Sequence, residues 1–389
     1  MEDFTAGHGR ARRGARRSLS CAALLAVCLV ACSSTDPARK PAELETINAS
    51  LPVHVAWRVA VGQARGAPLA PAVVENAIYA AAADGVVVRV APDSGKVIWR
   101  VETGSPISSG VGADGFTVAV ATQRGDVIVI DSDGKPRWKA QVSSDVFVPP
   151  LVGRGVVIVR STDHRLVAFD SDTGKRLWVY QRAVPPLTLR ALSDMEFVGD
   201  NVLVAYPGGR LVALALANGA LRWEAVVSEP KGTTEVERLA DVVGAIATDA
   251  HDACGASYQG RIMCADANSG TLRWSREMPA GAGVGFDARR VFGVDERSTV
   301  IANGRDSGAS LWRNEKLRNR ALTSPLVLSS AVVVGDLDGY VHFLALDDGA
   351  LVARIATDNS PIVATPRALG GGALVQTQTG TLALLRIDR

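Results

Sequence analysis

The chain has 389 residues, 47% of them hydrophobic and 5% aromatic, and its 42 Lys and Arg against 40 Asp and Glu leave a formal net charge of +2. So even a balance supplies no basic field for a polyanion and gives no support to a nucleic-acid role. Length alone admits two or three domains, but a repeat running through nearly the whole chain argues for one array.

The N-terminus reads as an address. Residues 1–18 are polar and rich in arginine, and residues 19–31 form a 13-residue apolar stretch. A spanning helix needs about 20 apolar residues, so this stretch is too short and fits the charged and apolar regions of a secretory signal. The stretch ends in Leu29-Val30-Ala31-Cys32, which resembles a bacterial lipobox. Such signals leave a lipidated cysteine as the new N-terminus, so Cys32 is the expected lipidation site. Ordinary cleavage, with Cys32 as a passenger, is the other reading. Ser33 rather than Asp follows the cysteine, which suggests the outer membrane as destination. Residues 1–31 hold Arg10, Arg12, Arg13, Arg16 and Arg17 against Glu2 and Asp3, so the chain after them carries 37 basic and 38 acidic residues. Residues 32–50 are Ser, Thr, Pro and charge, and read as a flexible tether.

From residue 51 to residue 389 one phrase recurs. Gly-x-x-x-Trp occurs six times, ending at Trp99, Trp138, Trp178, Trp223, Trp274 and Trp312, at spacings of 39, 40, 45, 51 and 38 residues. A seventh copy, Gly349 to Ala353, has lost its aromatic, and Trp57 lies 42 residues before Trp99 without the glycine. A period near 40 with several short strands per repeat is the signature of a β-propeller. Each phrase follows a short apolar strand and a polar turn, as in Val167–Gly174. Glycine there takes a positive φ without steric penalty, and the tryptophan falls on a fixed side of the next strand, where an indole can cover the gap to the neighbouring blade.

Four-strand units are expected over about 68–104, 106–143, 145–182, 190–228, 240–279, 282–314 and 321–357. Residues 360–389 hold material for only three strands, and residues 51–61 for one. Together they make an eighth blade, so the fold expected is an all-β, eight-bladed propeller of four-stranded antiparallel blades closed by the N-terminal strand. Closure removes exposed sheet edges. Seven blades with a detached N-terminal strand is the alternative.

Two connections are longer than the rest. One contains Leu187, Thr188, Leu189 and Arg190, and the other runs through Ser228–Asp241. Both join an outermost strand to the next innermost one, so they emerge on one face and flank the fourth blade, with the turn Pro207-Gly208-Gly209 between them. Loops on a rigid scaffold concentrate binding residues. Exposed leucines beside Arg190 suit a protein interface, or else the leucines turn inward and plug the blade junction.

Chemistry is sparse. His54, His164, His251 and His342 are scattered one to a repeat, away from metal-ligand spacing, and are expected at the surface or in turns. Asp131, Asp170 and Asp347 sit where carboxylates cap turns. Cys254 and Cys264 lie symmetrically about residue 259 and can face each other across a hairpin. They are either a disulfide or two reduced, small apolar residues. No catalytic residue, metal ligand or cofactor is expected.

Three stretches carry a resemblance. Ala168-Phe169-Asp170, Thr173-Gly174 and Trp178 are similar to the repeat of pyrroloquinoline-quinone dehydrogenases and their non-enzymatic relatives. Gly232–Asp241, and Leu322-Thr323-Ser324-Pro325 with Val334–Tyr340, resemble the BamB family of propeller lipoproteins in the outer-membrane β-barrel assembly (BAM) machinery. That resemblance implies a non-enzymatic scaffold at the periplasmic face of the outer membrane. It would bind the POTRA domains of BamA, beside other subunits of the complex, and assist insertion of outer-membrane proteins, with no small-molecule substrate. The family's partner-binding loop matches at Leu187, Thr188, Leu189 and Arg190, and a second site at Glu235, Arg238, Leu239 and Asp241. The family pattern has another Asp where Val243 stands, which makes this surface less acidic. A periplasmic quinoprotein dehydrogenase or a glycan-binding propeller is the alternative. The chain shows neither vicinal cysteines nor the long active-site insertions of those dehydrogenases.

Overall fold

The structure, a computed structural model, describes residues 40–189 and 193–388. The chain divides into Met1–Pro41, of which residues 40 and 41 are described, and Ala42–Arg389. The expected signal segment, Cys32 and Arg190 therefore lie outside the described residues.

Thirty-two strands among the described residues form eight four-stranded antiparallel sheets arranged as a propeller. The first strand, β1 (Val53–Ala60), belongs to the last blade. Blade one is β2 (Ala72–Val74), β3 (Ala77–Ala81), β4 (Val86–Val90) and β5 (Val97–Glu102). Blade two is β6 (Gly112–Ala113), β7 (Thr117–Ala121), β8 (Asp126–Asp131) and β9 (Pro136–Gln141). Blade three is β10 (Leu151–Gly153), β11 (Val156–Arg160), β12 (Leu166–Asp170) and β13 (Arg176–Tyr180). Blade four is β14 (Met195–Val198), β15 (Asn201–Tyr206), β16 (Arg210–Ala215) and β17 (Leu221–Val226). Blade five is β18 (Ala247–Thr248), β19 (Asp252–Ala256), β20 (Arg261–Asp266) and β21 (Leu272–Glu277). Blade six is β22 (Ala280–Phe286), β23 (Arg290–Asp295), β24 (Val300–Gly304) and β25 (Ser310–Asn314). Blade seven is β26 (Leu326–Val327), β27 (Val332–Gly335), β28 (Tyr340–Leu344) and β29 (Leu351–Ala356). Blade eight is β30 (Arg367–Leu369), β31 (Gly372–Gln376), β32 (Thr381–Ile387) and β1, which pairs antiparallel with β32 from Val53↔Ile387 to Ala60↔Thr381. The expected eight blades and their closure by the N-terminal strand are what the structure has.

Burial follows strand position. Second strands such as β3, β7 and β11 are buried at every residue. They read as continuous apolar runs because neighbouring blades cover both faces. Outermost strands such as β5 and β17 alternate between covered and exposed positions.

The repeat phrase staples each blade to the next. Every third-to-fourth ladder in blades one to seven shifts register just beyond the residue opposite the tryptophan position, as between Ala213 and Leu214 opposite Trp223. A bulge re-aims the side chain it carries, and here the indole leans onto the following blade. Indole Nε1–H groups of Trp57, Trp99, Trp138, Trp178, Trp223, Trp274 and Trp312 donate to the carbonyls of Pro92, Ser132, Ser171, Leu216, Ala267, Arg305 and Leu346, at 2.5–3.1 Å. Each ring lies on the glycine of the next blade's phrase. At Gly270, with φ +71°, a Cβ would stand 2.6 Å from Cε3 of Trp223, so the residue must be glycine on both counts.

At the eighth junction, where Ala353 replaces tryptophan, the N-terminal segment takes over. Ser50 and Leu51 N–H donate to Val352 O at 3.0 and 3.1 Å, and Leu51 packs into the cluster of blades seven and eight. Farther back, Leu44 packs against the cluster of blades six and seven, Ala42 N–H donates to Arg318 O at 2.9 Å, and Arg354 Nη1 donates to Glu45 O at 2.8 Å. From Ala42 onward this is a docked strap, not the flexible tether that its composition suggests. Leu44 and Leu51 hold down a segment whose other side chains are mostly polar.

One histidine departs from its expected surface position. His342 is fully buried in β28, with Nε2 2.8 Å from Asp336 Oδ2, and burial lowers its pKa. Asp131 and Asp170 cap their turns, accepting from Lys135 N–H at 2.8 Å and Thr173 N–H at 2.8 Å. Asp347 instead pairs with Arg290, and the neighbouring Asp348 does the capping.

Candidate functional site: the loop face around blade four

The two longest inter-blade connections, residues 181–194 and 227–246, flank blade four. Backbone bonds place such connections beside the turns between second and third strands: Val227 N–H donates to Gly209 O at 2.8 Å and Tyr258 N–H to Asp241 O at 2.9 Å. The turn Pro207-Gly208-Gly209 sits between the two insertions.

Asp241 ties these parts together. Its carboxylate accepts from Leu189 N–H in the first insertion at 2.5 Å and from Gly208 N–H in the turn at 2.9 Å. The side chain is buried, and burial raises its pKa against the pull of both N–H groups and of Arg160. Arg160, itself buried, donates to Ser193 Oγ and Ala205 O, both at 2.7 Å, and lies over the Tyr206 ring. Arg182 crosses to blade four by a two-pronged bond to Glu224, at 2.9 and 3.2 Å. One buried acid thus fixes the relative positions of both loops.

The structure divides the expected partner-binding residues between surface and support. Leu187 is 41% exposed, whereas Leu189 packs against the blade-five cluster around Val243 and Met278. One of these leucines is therefore exposed and the other turned inward. Thr188 Oγ1 is 3.5 Å from His164 Nε2. Asp241 and Leu239, expected on a contact surface, are both buried, and Asp241 there satisfies two backbone donors. Glu235 and Arg238 are exposed and form an ion pair at 3.6 Å.

Between Glu235 and Arg238 the chain makes one tight, capped turn. Glu237 accepts from Thr233 N–H at 2.8 Å and Thr234 N–H at 3.0 Å, while its own N–H reaches Thr234 Oγ1 at 3.2 Å. These bonds, led by the one from Thr234, hold the Glu237 pKa down at about 2. This reciprocal pattern is a capping box, and it presents Val236, 59% exposed, at the tip. Sequence reasoning missed Val236, though an apolar residue inside a polar, acidic loop was the signal for it. In blade five Cys254 and Cys264 stand opposite each other in the β19–β20 ladder, buried and joined as a disulfide.

The central channel opens on the same face. Its mouth is a depression of about 610 Å³ lined chiefly by apolar residues, among them Phe147, Leu189, Val243, Leu322 and Ile362. Deeper in, Asp194 and Glu196 face Arg367, with Arg367 Nη2 3.8 Å from Asp194. Burial, then the Asp194 charge, raises the Glu196 pKa to about 7. The unfolded chain ionises this group near 4.5, so between that pH and about 7 the native state holds the extra proton, and stability falls as pH rises. Glu196→Gln is therefore expected to stabilise the ring at pH 8 by about 1–3 kcal/mol and to lose that advantage by pH 5, as read by urea melts at both pH values. Among the described residues, no three His, Cys, Asp or Glu side chains gather into a metal-binding group.

Comparisons place this geometry among known proteins. A family model described as outer membrane protein assembly factor BamB matches residues 83–314 and 266–388. The outer membrane protein assembly factor BamB of Bordetella pertussis is 42% identical over 381 residues, covering 98% of each chain. A crystal structure of BamB from Moraxella catarrhalis superposes with a TM-score of 0.79 at 25% identity, over 86% of this chain and 99% of that one. A quinohemoprotein alcohol dehydrogenase from Comamonas testosteroni superposes with a TM-score of 0.68 at 14% identity, over 86% of this chain and 76% of the other, a likeness of fold alone.

Proposed function

We infer the role of the loop face from a premise that can be stated plainly: the chain belongs to the outer membrane protein assembly factor BamB family. It is an outer-membrane protein assembly factor built as an eight-bladed propeller. We propose that it works as a non-enzymatic scaffold, anchored by lipid at Cys32 to the periplasmic face of the outer membrane. Its loop face around blade four docks the POTRA domains of BamA beside the other subunits of the complex. A single lipid chain gives only marginal binding, and the several chains of a lipoprotein suffice for stable anchoring.

The observation that carries this reading is the Asp241 clasp. Rigid loops lose little conformational entropy on binding, so a buried acid that fixes two insertions preorganises a docking surface. Leu187, Val236, Glu235 and Arg238 are the exposed contact residues of that surface, with Arg190 beside them in sequence. Leu189, Leu239 and Asp241 support it from below.

The test is an affinity pull-down of the tagged mature protein from detergent-extracted outer membranes, beside a Leu187→Asp, Arg238→Glu double variant. BamA is expected with the parent protein and at least tenfold less with the variant, a loss of about 1.4 kcal/mol or more. Equal recovery would move the interface elsewhere on the ring. No recovery with either would reject the scaffold role and reopen the quinoprotein reading, which predicts dye-linked alcohol oxidation on adding pyrroloquinoline quinone and calcium.

A further inference from the structure

The strap at residues 42–51 is held more firmly than a tether requires. Its grip is mainly on backbone atoms. Arg320 Nη1 donates to Ala42 O at 2.9 Å, Arg354 Nη1 to Glu45 O at 2.8 Å, and Ala42 N–H to Arg318 O at 2.9 Å. Arg320 is itself buried and braced by Asp336 at 2.7 Å and Asp338 at 2.6 Å. Asp336 is in turn fully buried and bonded to His342, whose Nδ1 lies 3.3 Å from Arg354 Nε. Both strap-binding arginines therefore belong to one buried polar network in blade seven and the connection leading into it. Lys316 adds an ion pair to Glu45 at 3.1 Å.

This network fixes where the chain leaves the ring. Ala42 is bracketed by Arg318 and Arg320, in the connection between blades six and seven, on the same face as the partner loops. Asn319 N–H, between those two arginines, donates to Arg297 O at 2.8 Å, in the turn between β23 and β24 of blade six. Only ten residues separate Ala42 from Cys32, against 21 between Cys32 and the start of β1 at Val53. At about 3.5 Å per residue the shorter leash reaches at most about 35 Å, where the longer one would reach about 70 Å. Four-stranded blades spaced at about 4.8 Å per strand make a ring roughly 50 Å across. Docking the strap thus cuts the leash from longer than the ring's width to shorter than it.

We propose that the strap is an orienting latch, which turns the rim between blades six and seven toward the membrane surface and keeps the opposite rim, at blade two, away from it. The latch rests on the lipid anchoring at Cys32 proposed above. It leaves the loops flanking blade four, two and three blades from the exit point, free to meet a partner.

The test uses the full lipoprotein in vesicles of phosphatidylethanolamine and phosphatidylglycerol containing a spin-labelled lipid quencher. A fluorophore is placed at Arg297→Cys in blade six or at Gln123→Cys in blade two, both exposed positions in turns of the loop face. Quenching at residue 297 is expected to exceed that at residue 123 at least twofold. The difference should vanish when residues 42–49 are replaced by Gly and Ser at equal length, with circular dichroism reporting that the ring stays folded. Equal quenching at both sites with the strap intact, or a difference that survives its replacement, overturns the latch. Flotation of the same samples reads the anchor separately: protein that stays behind while vesicles float rejects lipid anchoring, and the latch with it.

Discussion

Trp223→Ala is expected to destabilise the ring by about 3–5 kcal/mol, read as a fall in the urea midpoint. The indole is buried between blades four and five, and its Nε1–H bonds Ala267 O at 3.1 Å, so truncation opens a cavity and strands a carbonyl together. The more discriminating result concerns its seat. Gly270→Ala adds a Cβ that would stand 2.6 Å from Trp223 Cε3, at a backbone φ of +71° that L side chains rarely adopt. Once the indole is gone the steric part of that penalty disappears and only the backbone part stays. The double variant should therefore be at least about 1 kcal/mol more stable than the sum of the single effects predicts. Strict additivity would mean that the tryptophan and glycine are not one staple. Because the pattern recurs at seven junctions, the same cycle should give the same sign at Trp178 with Gly219 and at Trp274 with Gly308.

Asp241→Ala is expected to cost about 2–4 kcal/mol and to loosen both insertions at once. It leaves the N–H groups of Leu189 and Gly208 without their acceptor in a buried place. Asp241→Asn keeps one acceptor oxygen and should recover about half of the loss. Hydrogen exchange separates a clasp from a general weakening. In the alanine variant the amides of Leu189 and Gly208 should exchange faster while those of β27 and β28, across the ring, keep their protection. Unchanged exchange at Leu189 would show that the first insertion is held by packing against Val243 and Met278 rather than by the carboxylate.

Much of this molecule is legible in its sequence because it repeats itself. The blade count follows from seven glycines and seven tryptophans at one period, and the closing strand follows from three strands left at one end and one at the other. What the repeat hides is non-local. The seat for Trp223 is Gly270, 47 residues downstream, and nothing in either phrase announces that the two meet. Loops are harder again, since they lack a period to separate inward from outward residues. Insertion length picks out the two connections that flank blade four, yet Leu187 and Leu189, two positions apart, end on opposite sides of the surface. Asp241 is placed by backbone N–H groups 33 and 52 residues away, a demand invisible in a linear chain. The strap escapes notice for another reason: polar composition argues for a tether, and two well-placed leucines with backbone bonds outweigh it.

The most direct test of the docking surface is site-specific photo-crosslinking in intact cells from a benzoyl-phenylalanine at residue 187 or 236, beside one at Ala217. Ala217 is exposed in the β16–β17 turn, at the opposite end of the same blade. Crosslinks to the POTRA domains of BamA from 187 and 236, with none from 217, are the result expected of a loop face that docks the partner. Crosslinks to BamA from 217 alone would contradict it and place the partner on the other side of the ring.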